Sequence, residues 1–201
     1  MKTTLRAASA VIALALAAPA VAQQAPAHPR LGVGVSLNPS LIADLASTTG
    51  TLAPAPKLYV PFYVTPNIRI EPEIGWISVT NDASSTNDHA FDLGIGALVL
   101  KQMSQSTNLY GGLRLASIWL QNETRGGGGV LTRTTQRNTL LSFVGGAEYL
   151  PAAWFSIGVE AQLAFNFLGD QDVNVGGITT TTSGGTAKAI QGLFFMRVYF
   201  L

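Results

Sequence analysis

The two histidines of this chain, His28 and His89, are its first candidates for catalytic residues. His89 opens a segment in which apolar and polar residues alternate, and a hairpin that keeps large apolar residues paired would set Ser78 opposite His89. A hydroxyl beside an imidazole is what an activated nucleophile requires. However, Asp88 and Asp92 fall on the other face of the segment by parity, so no third member is present. His28 precedes the first such segment and is interpreted as linker, and we predict no catalytic residues.

A second candidate is a run of polar side chains near the C-terminus. Asp170, Asp172 and Asn174 form D-x-D-x-N, which has the spacing found at the start of a calcium-binding loop. Such a loop also needs glycine at its sixth position and glutamate at its twelfth, where this chain has Val175 and Thr181. The sequence leaves open whether these three residues bind a cation, and it predicts no cofactor and no metal centre.

Charged residues recur at alternate positions within apolar segments. In IRIEPEIGW (68–76), one arginine and two glutamates alternate with isoleucines and a tryptophan, and alternation of this kind is typical of a β-strand. The same separation of faces holds in the other segments. We therefore predict that eight charged side chains share one environment: Arg69, Glu71, Glu73, Asp92, Arg114, Glu148, Glu160 and Arg197.

Eight alternating segments follow one another along the chain, separated by turn-forming residues. The connections after odd-numbered segments are mostly long (39–56, 81–88, 121–138 and 168–187), and those after even-numbered segments are short (65–67, 101–106 and 151–154). For the first short turn, a three-residue loop at 65–67 would pair Val64 with Ile68, Phe62 with Ile70 and Leu58 with Ile74. The predicted strands are 30–38, 57–64, 68–80, 89–100, 107–120, 139–150, 155–167 and 188–201.

The N-terminus and the composition place the chain outside the cytoplasm. Lys2 and Arg6 precede an apolar run (7–18) and the sequence Ala20-Val21-Ala22, which predicts a signal peptide at 1–22, a linker at 23–29 and a folded domain at 30–201. The absence of cysteine excludes disulfides. The predicted mature chain has 10 basic and 11 acidic residues (12 basic residues less Lys2 and Arg6), so no nucleic-acid partner is expected.

Two features decide which face of these strands meets solvent. Charged residues make up 11% of the chain, against about 25% in soluble domains, and no apolar run after the predicted signal reaches the length of a spanning helix. The apolar faces also carry more bulky side chains, such as Phe155, Phe165 and Trp76, than an eight-stranded interior could hold. The small and charged faces suit that interior better. We predict an all-β fold, an eight-stranded antiparallel up-and-down transmembrane β-barrel, with a soluble lipocalin-like barrel as the alternative.

Residues 30–201 resemble the small eight-stranded outer-membrane barrels, a family that includes the transmembrane domain of OmpA, OmpX and the opacity proteins. The resemblance rests on the signal peptide, the eight alternating segments, the charge-Glu-Pro-Glu-apolar-Gly pattern at 69–75 and the aromatic final strand. It implies a location in the bacterial outer membrane and assembly by the barrel-insertion machinery. The assembly signal that it implies is the outward row of the last strand: Phe194, Met196, Val198 and Phe200.

The function expected from this resemblance is that of an integral outer-membrane protein with a structural or interaction role at the cell surface. Its interior is expected to be polar and filled with side chains, because eight strands leave no room for a wide channel. Outer-membrane lipid and lipopolysaccharide are the expected partners. A small ion-conducting porin and a barrel-type lipid-modifying enzyme are the alternatives, although no enzyme activity is predicted.

Overall fold

The structure is a computed structural model that describes residues 31–37, 56–81, 85–126 and 129–200. The predicted signal peptide (1–22) and linker (23–29), together with His28 and Leu201, lie outside the described residues. No helix in these ranges is both long and apolar enough to cross a membrane.

Every regular element of the described ranges is a β-strand, because the segments are rich in β-branched and aromatic residues that alternate with small or polar ones. The strands are β1 (Leu31–Leu37), β2 (Lys57–Tyr59), β3 (Phe62–Thr65), β4 (Ile68–Asn81), β5 (Thr86–Ser104), β6 (Thr107–Arg125), β7 (Leu131–Ala152), β8 (Phe155–Val175), β9 (Ile178–Thr182) and β10 (Thr186–Phe200).

The strands form one antiparallel sheet that closes on itself. Consecutive strands pair from β4 to β8, β8 pairs with β10, and β10 pairs with β1 from Leu31 opposite Phe200 to Leu37 opposite Phe194. β2 and β3 are two parts of one strand, interrupted at Val60 and Pro61, and β9 extends the last hairpin beyond the ring. The predicted eight-stranded antiparallel barrel is confirmed.

The first short turn differs from its predicted form. Leu58 lies opposite Ile74 and Phe62 opposite Ile70, as the paired apolar faces require. The strand then shifts register between Tyr63 and Thr65, so that Thr65 lies opposite Ile68, and the turn consists of two residues, 66 and 67. The three-residue loop with Val64 opposite Ile68 was wrong, because a β-bulge takes up the extra residue inside the strand.

The strands on one side of the barrel are longer than predicted. β7 has 22 residues and β8 has 21, about 70 Å of extended chain, whereas a tilted strand needs about 9–11 residues to cross a membrane. Much of the predicted loops at 81–88, 121–138 and 168–187 is therefore strand. These stretches were assigned to loops because they are polar, but threonine is a good strand former, and strands that project beyond the membrane need no apolar face.

The distribution of side chains is the reverse of that in a soluble protein. Along β1, Val33, Val35 and Leu37 are exposed, while Arg69 and Glu71 on β4 are fully buried. In a water-soluble fold, charged residues are almost never fully buried and large apolar residues rarely form the outer surface. The charges therefore lie inside the ring, and the outer surface is apolar.

Candidate functional site

The main concentration of polar side chains lies inside the barrel, and we name it the lumen charge cluster. It contains the eight residues singled out in the sequence, each at most 5% exposed, and one more, Lys57. Its cations are Lys57, Arg69, Arg114 and Arg197, and its carboxylates are Glu71, Glu73, Asp92, Glu148 and Glu160.

β4 positions three members of the cluster. Arg69, Glu71 and Glu73 occupy alternate positions and therefore point to the same face. The neighbouring strand β5 presents glycines there, with Gly96 opposite Glu71 and Gly94 opposite Glu73. A Cβ added at residue 96 would lie 2.8 Å from Arg114 Nη1, so the missing side chain provides the space that this guanidinium occupies.

Arg114 connects three carboxylates. Its Nη2 donates to Glu71 Oε2 at 2.6 Å and to Glu160 Oε2 at 2.8 Å, its Nε donates to Glu160 Oε1 at 2.9 Å, and its Nη1 donates to Glu73 Oε2 at 3.0 Å. Charge-assisted bonds of this length are stronger than neutral ones. One side chain on β6 therefore links β4 to β8 across the interior.

Two further arginines share Glu71 and Glu148. Arg69 Nη1 donates to Glu148 Oε2 at 2.7 Å, and its Nε lies 2.7 Å from Glu71 Oε1. Arg197 Nη2 lies 2.9 Å from the same Glu71 oxygen, and its Nη1 lies 3.3 Å from Glu148 Oε1. Tyr199 Oη donates to Glu148 Oε1 at 2.6 Å, so β10 is joined to β4 and β7.

Sequence reasoning missed the aromatic part of the interior. Arg197 Cζ lies 3.8 Å from the centre of the Phe195 ring, and Arg114 Cζ lies 5.0 Å from that of Tyr59. Contacts between guanidinium groups and rings of this kind stabilise cations that are removed from water. Strand parity could have found these aromatic residues, because they alternate with the outward-facing apolar residues. The inward aromatic residues are Tyr59, Tyr63, Tyr110, Phe195 and Tyr199.

Lys57 was also missed, although parity places it on the same face as Tyr59. Its Nζ lies 2.6 Å from Glu73 Oε1 and 3.5 Å from Asp92 Oδ1. With Lys57 included, the cluster holds four cations and five carboxylates, so its net charge within the described residues is −1. Asp92 is the carboxylate with the longest contact to a cation.

A cavity of about 260 Å³ lies in the interior on the side of the cluster away from the three short turns. We name it the outer chamber. Side chains leave space at this level of the interior, because several wall positions are alanines too small to fill the ring. Besides Lys57, Asp92 and Gln162, its wall includes Ala90, Ile118, Leu120, Leu140, Ala164 and Leu193.

The outer surface carries a row of three aromatic side chains on β4, β5 and β6, followed by an arginine on β7. Trp76 lies opposite Phe91, Phe91 opposite Trp119, and Trp119 opposite Arg137. The ring centres of Phe91 and Trp119 are 5.4 Å apart, and Arg137 Cζ lies 5.1 Å from that of Trp119. Aromatic rings and arginine are the residues that membrane proteins place at the boundary between hydrocarbon and headgroups.

The candidate nucleophile and base are neighbours in this structure. Ser78 and His89 face each other across β4 and β5, as the predicted register requires. Asp88 points to the other face, where Asn122 Nδ2 donates to it. Asp88 therefore does not orient the imidazole of His89.

The three D-x-D-x-N residues lie in β8 rather than in a loop, and each is engaged in the last hairpin. Asp172 Oδ1 accepts a hydrogen bond from Thr181 Oγ1 at 2.6 Å, and Asn174 Nδ2 donates to Thr179 Oγ1 at 2.8 Å. Asp170 accepts from a backbone amide of the same hairpin. Within the described ranges, no three His, Cys, Asp or Glu side chains are grouped so that they could hold a metal ion.

The predicted assembly residues lie on the outward face of β10. Phe194, Val198 and Phe200 are exposed, and Met196 is partly exposed. Their neighbours Phe195, Arg197 and Tyr199 are buried, so the alternation extends to the end of the strand. The role of the outward row in assembly remains a prediction.

Among solved structures, the chain is similar to Neisserial surface protein A (NspA), with 14% identity, 86% of this chain and 94% of that chain covered, and a TM-score of 0.47. It is also similar to Ail, the attachment invasion locus protein of Yersinia pestis, with 10% identity, coverage of 85% and 96%, and a TM-score of 0.44. No curated protein matches the sequence. The family described as outer membrane protein beta-barrel domain matches residues 8–185, and the chain therefore belongs to this family of β-barrel proteins of the bacterial outer membrane.

Proposed function

We propose that the protein is a closed barrel with a structural and interaction role at the cell surface, and that it is neither a diffusion pore nor an enzyme. The observation that carries this proposal is the lumen charge cluster, whose nine charged side chains link seven of the barrel's strands through its interior.

Ion pairs in this setting oppose the passage of solute. Separating Arg114 from Glu71, Glu73 and Glu160 would leave charges unpaired in a region of low dielectric constant, which costs several kcal/mol. Aromatic side chains such as Tyr59 and Phe195 fill the space beside the guanidinium groups. A solute would have to displace both sets of side chains, and we infer that the resting barrel does not conduct.

The interaction role rests on the extended strands and on the outer surface. β6 and β7 continue beyond the apolar part of the outer surface. There Arg133 Nε donates to Glu123 Oε1 at 2.7 Å. This hydrogen bond lowers the pKa of Glu123 from its usual value. Below this pair, Arg137 beside Trp119 presents a cation at the level expected for lipid headgroups. Outer-membrane lipid and lipopolysaccharide, whose headgroups carry anionic phosphates, are the partners that this surface suits.

Conductance across a planar bilayer tests the closed state. The refolded protein is expected to give no steady open-channel steps of the size of a porin channel, since the cluster occupies the interior. A general porin reconstituted in the same bilayers is the positive control. Steady steps of that size from this protein would reject the proposal and favour the ion-conducting alternative.

The enzyme alternative is tested by replacing His89 with alanine. We expect outer-membrane vesicles with the unaltered protein and with the H89A variant to show the same lipid composition after incubation, as resolved by mass spectrometry. A modified lipid species that the unaltered protein produces and H89A does not would reject the non-enzymatic reading.

A further inference from the structure

The outer chamber combines an apolar wall with one incompletely paired carboxylate. Asp92 is 5% exposed and borders the chamber, yet its Oδ1 accepts no hydrogen bond in the structure. Lys57 Nζ is 3.5 Å from this oxygen but lies closer to Glu73 Oε1, at 2.6 Å. A buried acceptor without a donor is unfavourable, and more so when it is charged, so a donor brought by a ligand would be favoured here.

The charge balance decides which kind of donor suits this position. The lumen charge cluster has four cations and five carboxylates, so a ligand with one positive charge would neutralise it. Lys188 also borders the chamber, but its Nζ lies 5.7 Å from the centre of the outward-facing Phe165 ring. An anionic ligand would instead add to the excess negative charge in a site of low dielectric constant.

The wall of the chamber suits an apolar body of limited size. Ile118, Leu120 and Leu140 contribute aliphatic surface, while Ala90 and Ala164 leave the space open. A cavity of about 260 Å³ is slightly smaller than those that hold drug-sized ligands, which begin near 300 Å³. It is larger than an engineered protein cavity of about 150 Å³ that binds benzene. One ring or a short alkyl chain with a polar end would therefore fit.

We propose that the outer chamber binds small amphipathic primary amines, with the ammonium group on Asp92 and the hydrocarbon body against Ile118, Leu120 and Leu140. The ammonium group donates to Asp92 Oδ1 and supplies the missing positive charge. The apolar body displaces water from the aliphatic wall. Binding needs no opening of the lumen charge cluster, because the chamber lies on one side of it.

The test uses 2-phenylethylamine as the probe and the refolded full-length barrel in phosphatidylcholine nanodiscs. Titration followed by amide NMR is expected to shift resonances of residues around the chamber, such as Ala90, Asp92 and Ala164. The neutral analogue 2-phenylethanol is expected to bind about tenfold or more weakly, because hydrogen bonds to charged groups contribute about 1.5–3 kcal/mol. The anion 3-phenylpropionate is expected not to bind.

Two variants and a control separate specific binding from partition into lipid. D92N removes the charge with little change in shape and is expected to weaken amine binding about tenfold or more. A164L fills the chamber without altering a charge and is expected to abolish binding, so the test stands even if D92N does not fold. D170N, which removes an exposed hairpin carboxylate, is expected to bind like the unaltered protein. Equal affinity for the amine and the alcohol, unchanged binding in A164L, or no shifts at the chamber would each overturn the proposal.

Discussion

Replacing Arg114 with leucine is expected to lower the free energy of unfolding by about 3–5 kcal/mol, which is the cost of removing one partner from a buried ion pair. Arg114 is 3% exposed and contacts three carboxylates within 3.0 Å. Leucine would leave those carboxylates without their shared cation in a buried site. Urea unfolding in lipid vesicles measures the change, with heat-modifiable gel mobility reporting the folded fraction.

Two companion variants show whether the effect comes from the buried pairing. R137L removes an arginine on the outer surface that contacts the ring of Trp119, and it is expected to cost no more than about 1 kcal/mol. R114K keeps the charge but loses the planar fork that contacts three carboxylates, so its stability should lie between those of R114L and the unaltered protein. If R114L and R137L were equally stable, the cluster would not stabilise the barrel.

Replacing Leu163 with arginine is expected to lower the free energy of unfolding by about 2–4 kcal/mol, the range for a charge on the lipid face near the centre of the bilayer. Leu163 is 43% exposed and lies between Phe143 on β7 and Ile190 on β10. In a soluble barrel the same exposed position would accept arginine with little change. The measurement is the same urea titration in vesicles.

The matched control is arginine at Thr180, on β9. Thr180 is exposed in the hairpin that extends beyond the ring, where arginine would remain in water. T180R is expected to stay within about 0.5 kcal/mol of the unaltered protein, as is usual for surface substitutions. Equal stability of L163R and T180R would show that the outer face of β8 does not meet lipid.

Strand parity predicted most of the architecture correctly, because alternation is a local property of the chain. It puts Arg69, Glu71 and Glu73 on one face of the strand and Ile74 and Trp76 on the other, while the bulk of the apolar faces indicated which face is inward. Adjacent register was also predictable where apolar faces must coincide, as in the pairing of Trp76 with Phe91. The closed ring was predicted from the eight alternating segments together.

Properties that depend on the whole cross-section could not be derived in this way. The outer chamber exists because the small side chains of Ala90 and Ala164, which are far apart in sequence, line the same part of the interior. Arg114 meets Glu71 and Glu160 because three strands converge, whereas sequence separation alone would allow many partners. Strand length was underestimated because a strand beyond the membrane need not have an apolar face.

The central claim, that the apolar face of each strand meets lipid and the charged face lines the interior, can be tested directly along β8. The chain has no cysteine, so spin labels can be placed singly at each residue from 157 to 167 in lipid vesicles. The account predicts accessibility to oxygen, which concentrates in the hydrocarbon, with a period of two and maxima at the odd residues, such as Leu163. Maxima at the even residues, such as Ala164, or the absence of a period would contradict it.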